Sequence, residues 1–549
     1  MNREARSSKP SGGSKKSPSR TRSSSRSRKT KPKEKTPEPK VRSKSKTRRS
    51  PSRSRGRPRK RTSTSPDVVT NSIQNVVESI RNSISPDKID EVIRASLSRF
   101  EDVANDVVSA VKTRSSARLR EKSENEVKPA APKENNVHGA KPVKKEFGHW
   151  IVALAVVLVA PVAVFAAQLA CTSASCPPVP TQVSLKWRAL FDLKIAGGYL
   201  GFLVSQMVLA ALPLGLSLGT LGRPDNHKYR ANGLASIIVT AAVLIGVKLY
   251  TTFPIVKLLD MSLPILTTSI LTAIVLSVAL YVKAVYQKTA NHDYGKTGNV
   301  LYDIFAGAEV NPRVGPLDVK TALLRTALIT TIIYNSLLIY KEVDGKGLAQ
   351  ISVNAVLVAA LQIVFSLDFV IFESDLLSSF TVNQDGTGLL LLLHGALFPF
   401  WITLLPKYLY LSRTPHNVWL SSIAGVVFLI GYIIHRISNH QKRKVKKDSS
   451  AVPSKDVIHS RSSVLYKGGL WGLVRHPNYL GALIIYSSWS VLALAAAPVH
   501  WIPVAISVVN LVEIATQIAR VESRSEERHG AIWNSYAAQV KYRILPRVF

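Results

Sequence analysis

Residues 1–65 contain almost nothing that could enter a hydrophobic core. After Met1, Val41 is the one aliphatic side chain larger than alanine, and the segment has no aromatic residue. Without apolar surface to bury, a chain cannot offset the entropy lost on ordering. This composition excludes a folded domain, and we predict that residues 1–65 form a disordered tail.

Cysteine is also scarce, because Cys171 and Cys176 are the only two in 549 residues. Two thiols exclude a disulfide-rich fold, and they cannot form a closed zinc site without other ligands. We therefore predict no metal site. The short spacing between them permits a local disulfide, and two unpaired thiols are the equally consistent alternative.

The tail is rich in positive charge. Residues 1–61 contain 25 lysines and arginines against three acidic residues, so they supply more than half of the net charge of +38. Such cations neutralise nucleic-acid phosphates and release their counterions, which predicts salt-sensitive binding to DNA or chromatin. A solvated charge run or an import signal is the alternative.

Six consecutive residues within the tail resemble an AT-hook, a motif that binds the DNA minor groove. They are Arg55, Gly56, Arg57, Pro58, Arg59 and Lys60. The glycine and the proline keep the backbone thin and extended, so that the first two arginines can lie along the groove. Narrow A·T-rich grooves concentrate negative potential and attract arginine. These six residues are the predicted DNA contact.

Serines alternate with arginines in the tail, as in "RTRSSSRSR" (20–28) and "RSPSRSR" (49–55). Each phosphorylated serine would add about −1.5 to −2 charge beside an arginine. The pattern predicts an SR-type kinase as a partner and a tail whose DNA binding is switched by phosphorylation.

The next segments differ in character from the tail. Residues 66–111 carry aliphatic side chains at helical spacing, interrupted by Pro86, which predicts an amphipathic helical segment. It could pack on itself as a small hairpin, or bind a partner or a second copy. Residues 112–147, rich in Lys, Glu, Ser and Pro, are typical of a linker.

Residues 148–549 are predicted to form an all-α polytopic membrane domain of about 8–10 transmembrane helices, since spans need about 20 apolar residues. Candidate spans are 150–169, 195–217, 231–250, 263–286, 320–340, 351–372, 388–411, 417–437 and a pair within 482–519. The positive-inside rule places the N-terminus and the basic run 435–447 on the cytoplasmic or nucleoplasmic side. The two cysteines would then face the lumen.

Three separated motifs carry a family resemblance. "GNVLYDIFAGAEVNPRVG" (298–315), "GLWGLVRHPNYLGA" (469–482) and the closing 529–549 resemble the family of the lamin B receptor and the sterol C14 and C7 reductases. The resemblance implies a sterol-reductase-like fold. With the basic tail, it also implies an inner nuclear membrane or endoplasmic reticulum protein that contacts chromatin, B-type lamin and a membrane lipid or sterol. Residues 1–40 have neither strands nor aromatics to form the Tudor domain of vertebrate lamin B receptors.

Family members reduce a sterol double bond with hydride from NADPH, and the resemblance implies a residual cofactor site here. Its matching residues are Lys442, Trp471, Arg475, His476, Asn478, Tyr479 and Tyr536. Independently of the family, these cations and aromatics could hold a phosphate and stack on a planar ring. A polar helix cap at a membrane surface is the alternative.

Other family positions have changed. Toward the cofactor, Lys446 replaces an arginine, Ala482 and Val521 replace aspartates, Gln517 replaces an arginine, and Ser525 and His529 replace a cysteine and a tyrosine. Toward the sterol, an aspartate, tryptophan, tyrosine and glutamine become His394, Leu397, Ile402 and Leu405. Reduction needs a proton donor as well as a hydride.

We therefore predict a catalytically degenerate body with no catalytic residue and no required cofactor, joined to a tail that tethers chromatin. An active NADPH-dependent Δ14-sterol reductase and a non-catalytic sterol or lipid sensor are the alternatives.

Overall fold

The computed structural model describes residues 147, 150–171, 175–177, 187–219, 228–347, 350–459, 464–494 and 500–547. The predicted tail, the AT-hook, the amphipathic segment and nearly all of the linker lie outside these residues. All described residues belong to the second of two compact units, Pro86–Phe549.

The described chain is mostly helical. Its helices are α1 (Trp150–Ala170), α2 (Trp187–Leu190), α3 (Leu193–Ala211), α4 (Gly233–Tyr250), α5 (Lys257–Asp260), α6 (Ser262–Tyr286), α7 (Val300–Ala306), α8 (Val319–Val343), α9 (Val353–Ile371), α10 (Glu373–Leu376), α11 (Phe380–Gln384), α12 (Leu389–Ile402), α13 (Leu404–Ser412), α14 (Val418–Lys447), α15 (Pro477–Leu494), α16 (Trp501–His529) and α17 (Ala531–Gln539). Short antiparallel hairpins pair β1 (Leu216–Gly219) with β2 (Lys228–Ala231), β3 (Arg313–Val314) with β4 (Leu317–Asp318), and β5 (Val457–His459) with β6 (Val464–Tyr466).

Within the described residues, nine helical stretches are long and apolar enough to cross a bilayer. This confirms the prediction of an all-α polytopic membrane protein. The apolar runs set these helices, and polar caps fix several of their starts: Asp192, Asp318 and Asn417 each accept backbone N–H groups of the first helical turn. The chain also joins Cys171 to Cys176 in a disulfide, the first of the two alternatives for these residues.

The predicted span 388–411 is broken in the middle. Helix α12 ends at Ile402 and α13 begins at Leu404, where Pro406 lacks the backbone N–H that would bond to Ile402 O. Side chains bond to two carbonyls at this break: Gln168 Nε2 donates to Phe400 O (2.7 Å) and Gln362 Nε2 donates to Ile402 O (3.0 Å). A backbone break is tolerated at membrane depth only where protein groups provide such bonds.

The last long helices pack closely and position the functional residues. Gly431 of α14 faces Gly481 of α15, and a Cβ on Gly481 would lie 2.5 Å from the backbone nitrogen of His435. The helices therefore approach to backbone contact only because both positions are glycine. Helix α14 extends ten residues beyond its predicted end at 437, which carries Lys442 and Lys446 past the apolar run.

Candidate functional site

A cavity of about 950 Å³ lies among α12, α14, α15, α16 and the segment that links α9 to α12. All seven residues that the sequence assigned to a residual cofactor site line it: Lys442, Trp471, Arg475, His476, Asn478, Tyr479 and Tyr536. Residues from four separate parts of the chain thus share one cavity. Their role as a residual cofactor site stays a prediction.

Glu522 contacts two residues that line the cavity, Arg475 and His476. Its Oε1 lies 2.9 Å from Arg475 Nε and 3.3 Å from His476 Nε2, and its Oε2 lies 2.7 Å from Arg543 Nε. The backbone N–H groups of Arg475 and His476 donate to the carbonyls of Tyr542 and Arg543. Burial lowers the pKa of His476, although the neighbouring carboxylate opposes this shift. The C-terminal segment therefore fixes the start of α15.

Two lysines one helical turn apart present cations to the cavity. Lys442 Nζ lies 5.6 Å from the ring centroid of Trp471, and Lys446 Nζ donates to Ser378 O (3.0 Å). Within the described part of the chain, neither lysine has a carboxylate within ion-pair distance. The Trp471 ring is held in turn, because its Nε1 donates to Ser438 O (2.9 Å). The pair is suited to an anionic group beside an aromatic face.

Asn478 and Tyr536 complete this region. The Oδ1 atom of Asn478 is buried and accepts no hydrogen bond from any described residue. Tyr536 is buried, its hydroxyl donates to Trp471 O (3.4 Å), and burial raises its pKa above the ordinary range. An unpaired buried acceptor at a cavity wall is suited to a ligand donor.

The substituted family positions divide into two groups. Six of these positions line the cavity: Lys446, Ala482, Gln517, Val521, Ser525 and His529. The two positions at which the resemblance implies a carboxylate, Ala482 and Val521, are therefore part of its wall. His394, which the resemblance assigns to the sterol side, also lines the cavity. By contrast, Ile402 and Leu405 are buried in a packed cluster with Phe365 and Trp489, and the cavity lining includes neither. Their assignment to the sterol side stays a prediction.

Several ionisable residues of the cavity are not among the site residues predicted from the sequence. Asp385 pairs with Arg520, whose Nη1 also donates to Gln517 (2.9 Å), and Glu513 lies 3.6 Å from His394. Asp385 sits in a loop without a motif, so only the fold brings it to α16. Glu513 did carry a signal, since it is a lone carboxylate in an apolar run. Among the described residues, no cluster of three or more His, Cys, Asp or Glu is arranged to hold a metal ion.

The chain is similar to known proteins over most of its length. The lamin-B receptor of Drosophila melanogaster is 29% identical over 463 residues, covering 77% of this chain and 61% of that receptor. The Delta(14)-sterol reductase TM7SF2 of Mus musculus is 30% identical over 357 residues, covering 64% and 84%. The Delta(14)-sterol reductase LBR of Gallus gallus is 29% identical over 379 residues, covering 67% and 57%. The chain thus spans less than two thirds of the fly and chicken relatives.

A model of the ergosterol biosynthesis ERG4/ERG24 family matches residues 139–549, or 411 of the 549 residues. This range contains the whole cavity and every candidate membrane span. The chain therefore belongs to the ERG4/ERG24 family, as its three sequence motifs predicted.

Proposed function

We propose that this protein tethers chromatin to the inner nuclear membrane through its basic tail, and that its membrane body does not reduce sterols. The observation that supports the second part is that Ala482 and Val521 line the cavity, at two positions where the family resemblance implies carboxylates. The tail supports the first part, because a reductase needs no DNA-binding arm. In this arrangement the N-terminus is nucleoplasmic, and B-type lamin is a further partner, as the name of the fly relative suggests.

NADPH is the cofactor of the family, and the residues present are suited to bind it only at one end of the cavity. Lys442, Lys446 and Trp471 would hold a phosphate and a planar ring, and Asn478 would accept a donor. The resemblance implies charged side chains at three further positions, and these are uncharged here: Ala482, Gln517 and Val521. When bound, NADPH supplies hydride; no residue here is assigned to deliver the accompanying proton.

An active Δ14-sterol reductase is the second candidate. The observation that favours it is that all seven matching family positions still line one cavity, and two relatives bear that name. A sterol or lipid sensor would keep the cavity without chemistry.

Imaging of the tagged protein tests the tether. We expect the full chain to concentrate at the nuclear rim. Its fluorescence should recover slowly after photobleaching, because binding to chromatin restrains diffusion. A chain lacking residues 1–65 should spread through the endoplasmic reticulum and recover fast. A control chain lacking residues 112–130 of the linker keeps the tail and should behave like the full protein. Equal distribution and recovery of the full and tailless chains would contradict the tether.

A further inference from the structure

A small cavity of about 30 Å³ lies at the break between α12 and α13. It is enclosed by α1, α5, α6, α8 and α13, and it shares no lining residue with the large cavity of the candidate site. A void of this size has room for about two water-sized molecules. Polar and charged side chains line it: Gln168, Asp260, Ser262, Tyr334, Asn335, Lys341, Thr403, Lys407 and Tyr410. The membrane domain thus contains a polar site apart from the residual cofactor residues.

Lys407 brings a positive charge to the small cavity. It lies in α13, within the candidate span Leu389–Ser412. Its Nζ donates to the neutral Gln168 Oε1 (3.2 Å), and among the described residues no carboxylate lies within ion-pair distance of it. Charged side chains within membrane spans are costly, and they usually mark a functional site. The ammonium group of Lys407 therefore has room for an anionic partner.

Two other charged residues line the small cavity, Asp260 and Lys341. Lys341 Nζ lies 3.8 Å from Asp260 Oδ1, and the side chain of Asp260 is 45% exposed. The carboxylate of Asp260 attracts the ammonium group of Lys407 and that of Lys341 repels it, so the two effects oppose each other. Two lysines and one aspartate give the lining a net charge of +1. This charge favours an anion over a cation as the ligand.

Tyr334 adds a hydroxyl group to the wall of the small cavity. The residue is 8% exposed, and its hydroxyl has no hydrogen-bond partner among the described residues. Its ring meets Phe400 edge-on with centroids 5.4 Å apart, and Tyr199 interacts with it electrostatically without a hydrogen bond. A buried hydroxyl is costly unless it is hydrogen-bonded. Tyr334 therefore offers a second donor to a ligand beside Lys407.

Asn335 provides an acceptor instead of a donor. Its Nδ2 donates to Gln362 Oε1 (3.1 Å), and Gln362 Nε2 donates in turn to Ile402 O, so both amides are held in place. The Oδ1 atom of Asn335 is buried and accepts no hydrogen bond from any described residue. This oxygen would repel an anion, whereas a water molecule could donate to it. The volume of the small cavity has room for one of each.

We propose that the small cavity binds one monovalent inorganic anion of the size of chloride, together with one water molecule. The anion would accept hydrogen bonds from Lys407 Nζ and from the Tyr334 hydroxyl, and the water molecule would bridge it to Asn335 Oδ1. Hydrogen bonds to a charged group are stronger than neutral ones. The anion would hold α13 against α8 beside the break and thereby stabilise the membrane domain. This site is independent of the proposed tether.

Thermal unfolding of the full chain in detergent tests the site, with sodium chloride as the probe and sodium gluconate, whose anion is too large for the cavity, as the comparison. At constant ionic strength, chloride should raise the midpoint by a few degrees in a saturable way, because a ligand that binds only the folded chain stabilises it. Lys407→Met should abolish this rise. Tyr334→Phe should weaken the apparent affinity for chloride roughly tenfold, the effect of one hydrogen bond to a charged group.

Two controls separate anion binding from folding. Lys407→Arg keeps the cation and should retain a chloride-dependent midpoint, and Lys194→Met removes an exposed lysine and should respond to chloride like the native chain. If Lys407→Met does not fold, Tyr334→Phe decides alone. Equal midpoints of the native chain in chloride and gluconate would mean that the cavity holds water only, and would overturn the site. An unchanged response to chloride in Tyr334→Phe would place the anion elsewhere and would overturn it as well.

Discussion

The guanidinium of Arg520 lies 4.8 Å from the ring centroid of Phe147, at the end of the segment that the sequence predicted as a linker. The backbone N–H of Phe147 donates to the Tyr302 hydroxyl (3.0 Å), and its ring meets Phe305 edge-on at 5.3 Å. Both Arg520 and Phe147 line the cavity. The point where the N-terminal part enters the membrane domain is therefore part of the cavity wall.

Replacing Phe147 by alanine should lower the stability of the membrane domain. The half-buried ring would lose its contacts with Phe305 and Arg520, which we expect to cost about 2 kcal/mol and a few degrees in the midpoint of thermal unfolding. Unfolding of the purified chain in detergent measures this. Phe253→Ala removes an exposed ring and should change little; an equal effect of both variants would contradict the contact.

A fragment of residues 1–65 should bind duplex DNA with a preference for A·T tracts. Affinity should fall by orders of magnitude between about 50 and 200 mM salt, because binding releases counterions. Substituting Arg55 and Arg57 with alanine should erase the preference, whereas Arg20→Ala/Arg22→Ala removes the same charge and should keep it. Equal affinity of the native fragment for A·T-rich and G·C-rich duplexes would eliminate the AT-hook.

Phosphorylation of the tail should release DNA. Each phosphate adds about −1.5 to −2 charge next to arginines and cancels their positive potential. Binding of the fragment before and after treatment with an SR-type kinase, at matched salt, measures the change. A fragment in which the serines of 20–28 and 49–55 are alanine should be insensitive to the kinase. Tight binding by the phosphorylated native fragment would argue against the switch.

Residues 140–549 should not restore sterol reduction in a fungal strain that lacks its C14 reductase. Two missing charge-assisted contacts of about 1.5–3 kcal/mol each would weaken NADPH binding by about two orders of magnitude or more. Sterol analysis measures the product, with the mouse relative as the positive control. The variant Ala482→Asp/Val521→Asp should bind NADPH more tightly than the native chain. Reduced sterol made by the native chain would establish the reductase instead.

Acid should destabilise the membrane domain through His476. Burial lowers the pKa of this imidazole in the folded chain, against opposition from Glu522. Between the folded and unfolded pKa values the unfolded chain binds more protons, so the free energy of unfolding falls as pH drops below about 6.5. The loss of thermal stability from pH 7.5 to 5 should be smaller in His476→Gln. The control His416→Gln, at an exposed histidine, should keep the native pH dependence of stability. The same loss of thermal stability in the native chain and in both variants would contradict the role of His476.

Hydropathy alone determined the membrane architecture. An apolar run of about 20 residues must become a helix in a bilayer, so the predicted spans agree with the observed helices within a few residues at most ends. The motif around Arg475 and His476 likewise predicted which residues would share a site. By contrast, the extension of α14 to Lys447 was missed because its polar turns carry no hydropathy signal, although they place Lys442 at the cavity.

Only the tertiary structure decided which side chains face the cavity. Helix α12 buries Ile402 but exposes His394, since a helix turns neighbouring residues to different sides and packing selects the side. Asp385 meets Arg520 across 135 residues, and Phe147 reaches the same arginine from the other end of the domain. Such pairings depend on how helices far apart in the chain pack together, and no local pattern of residues encodes that arrangement.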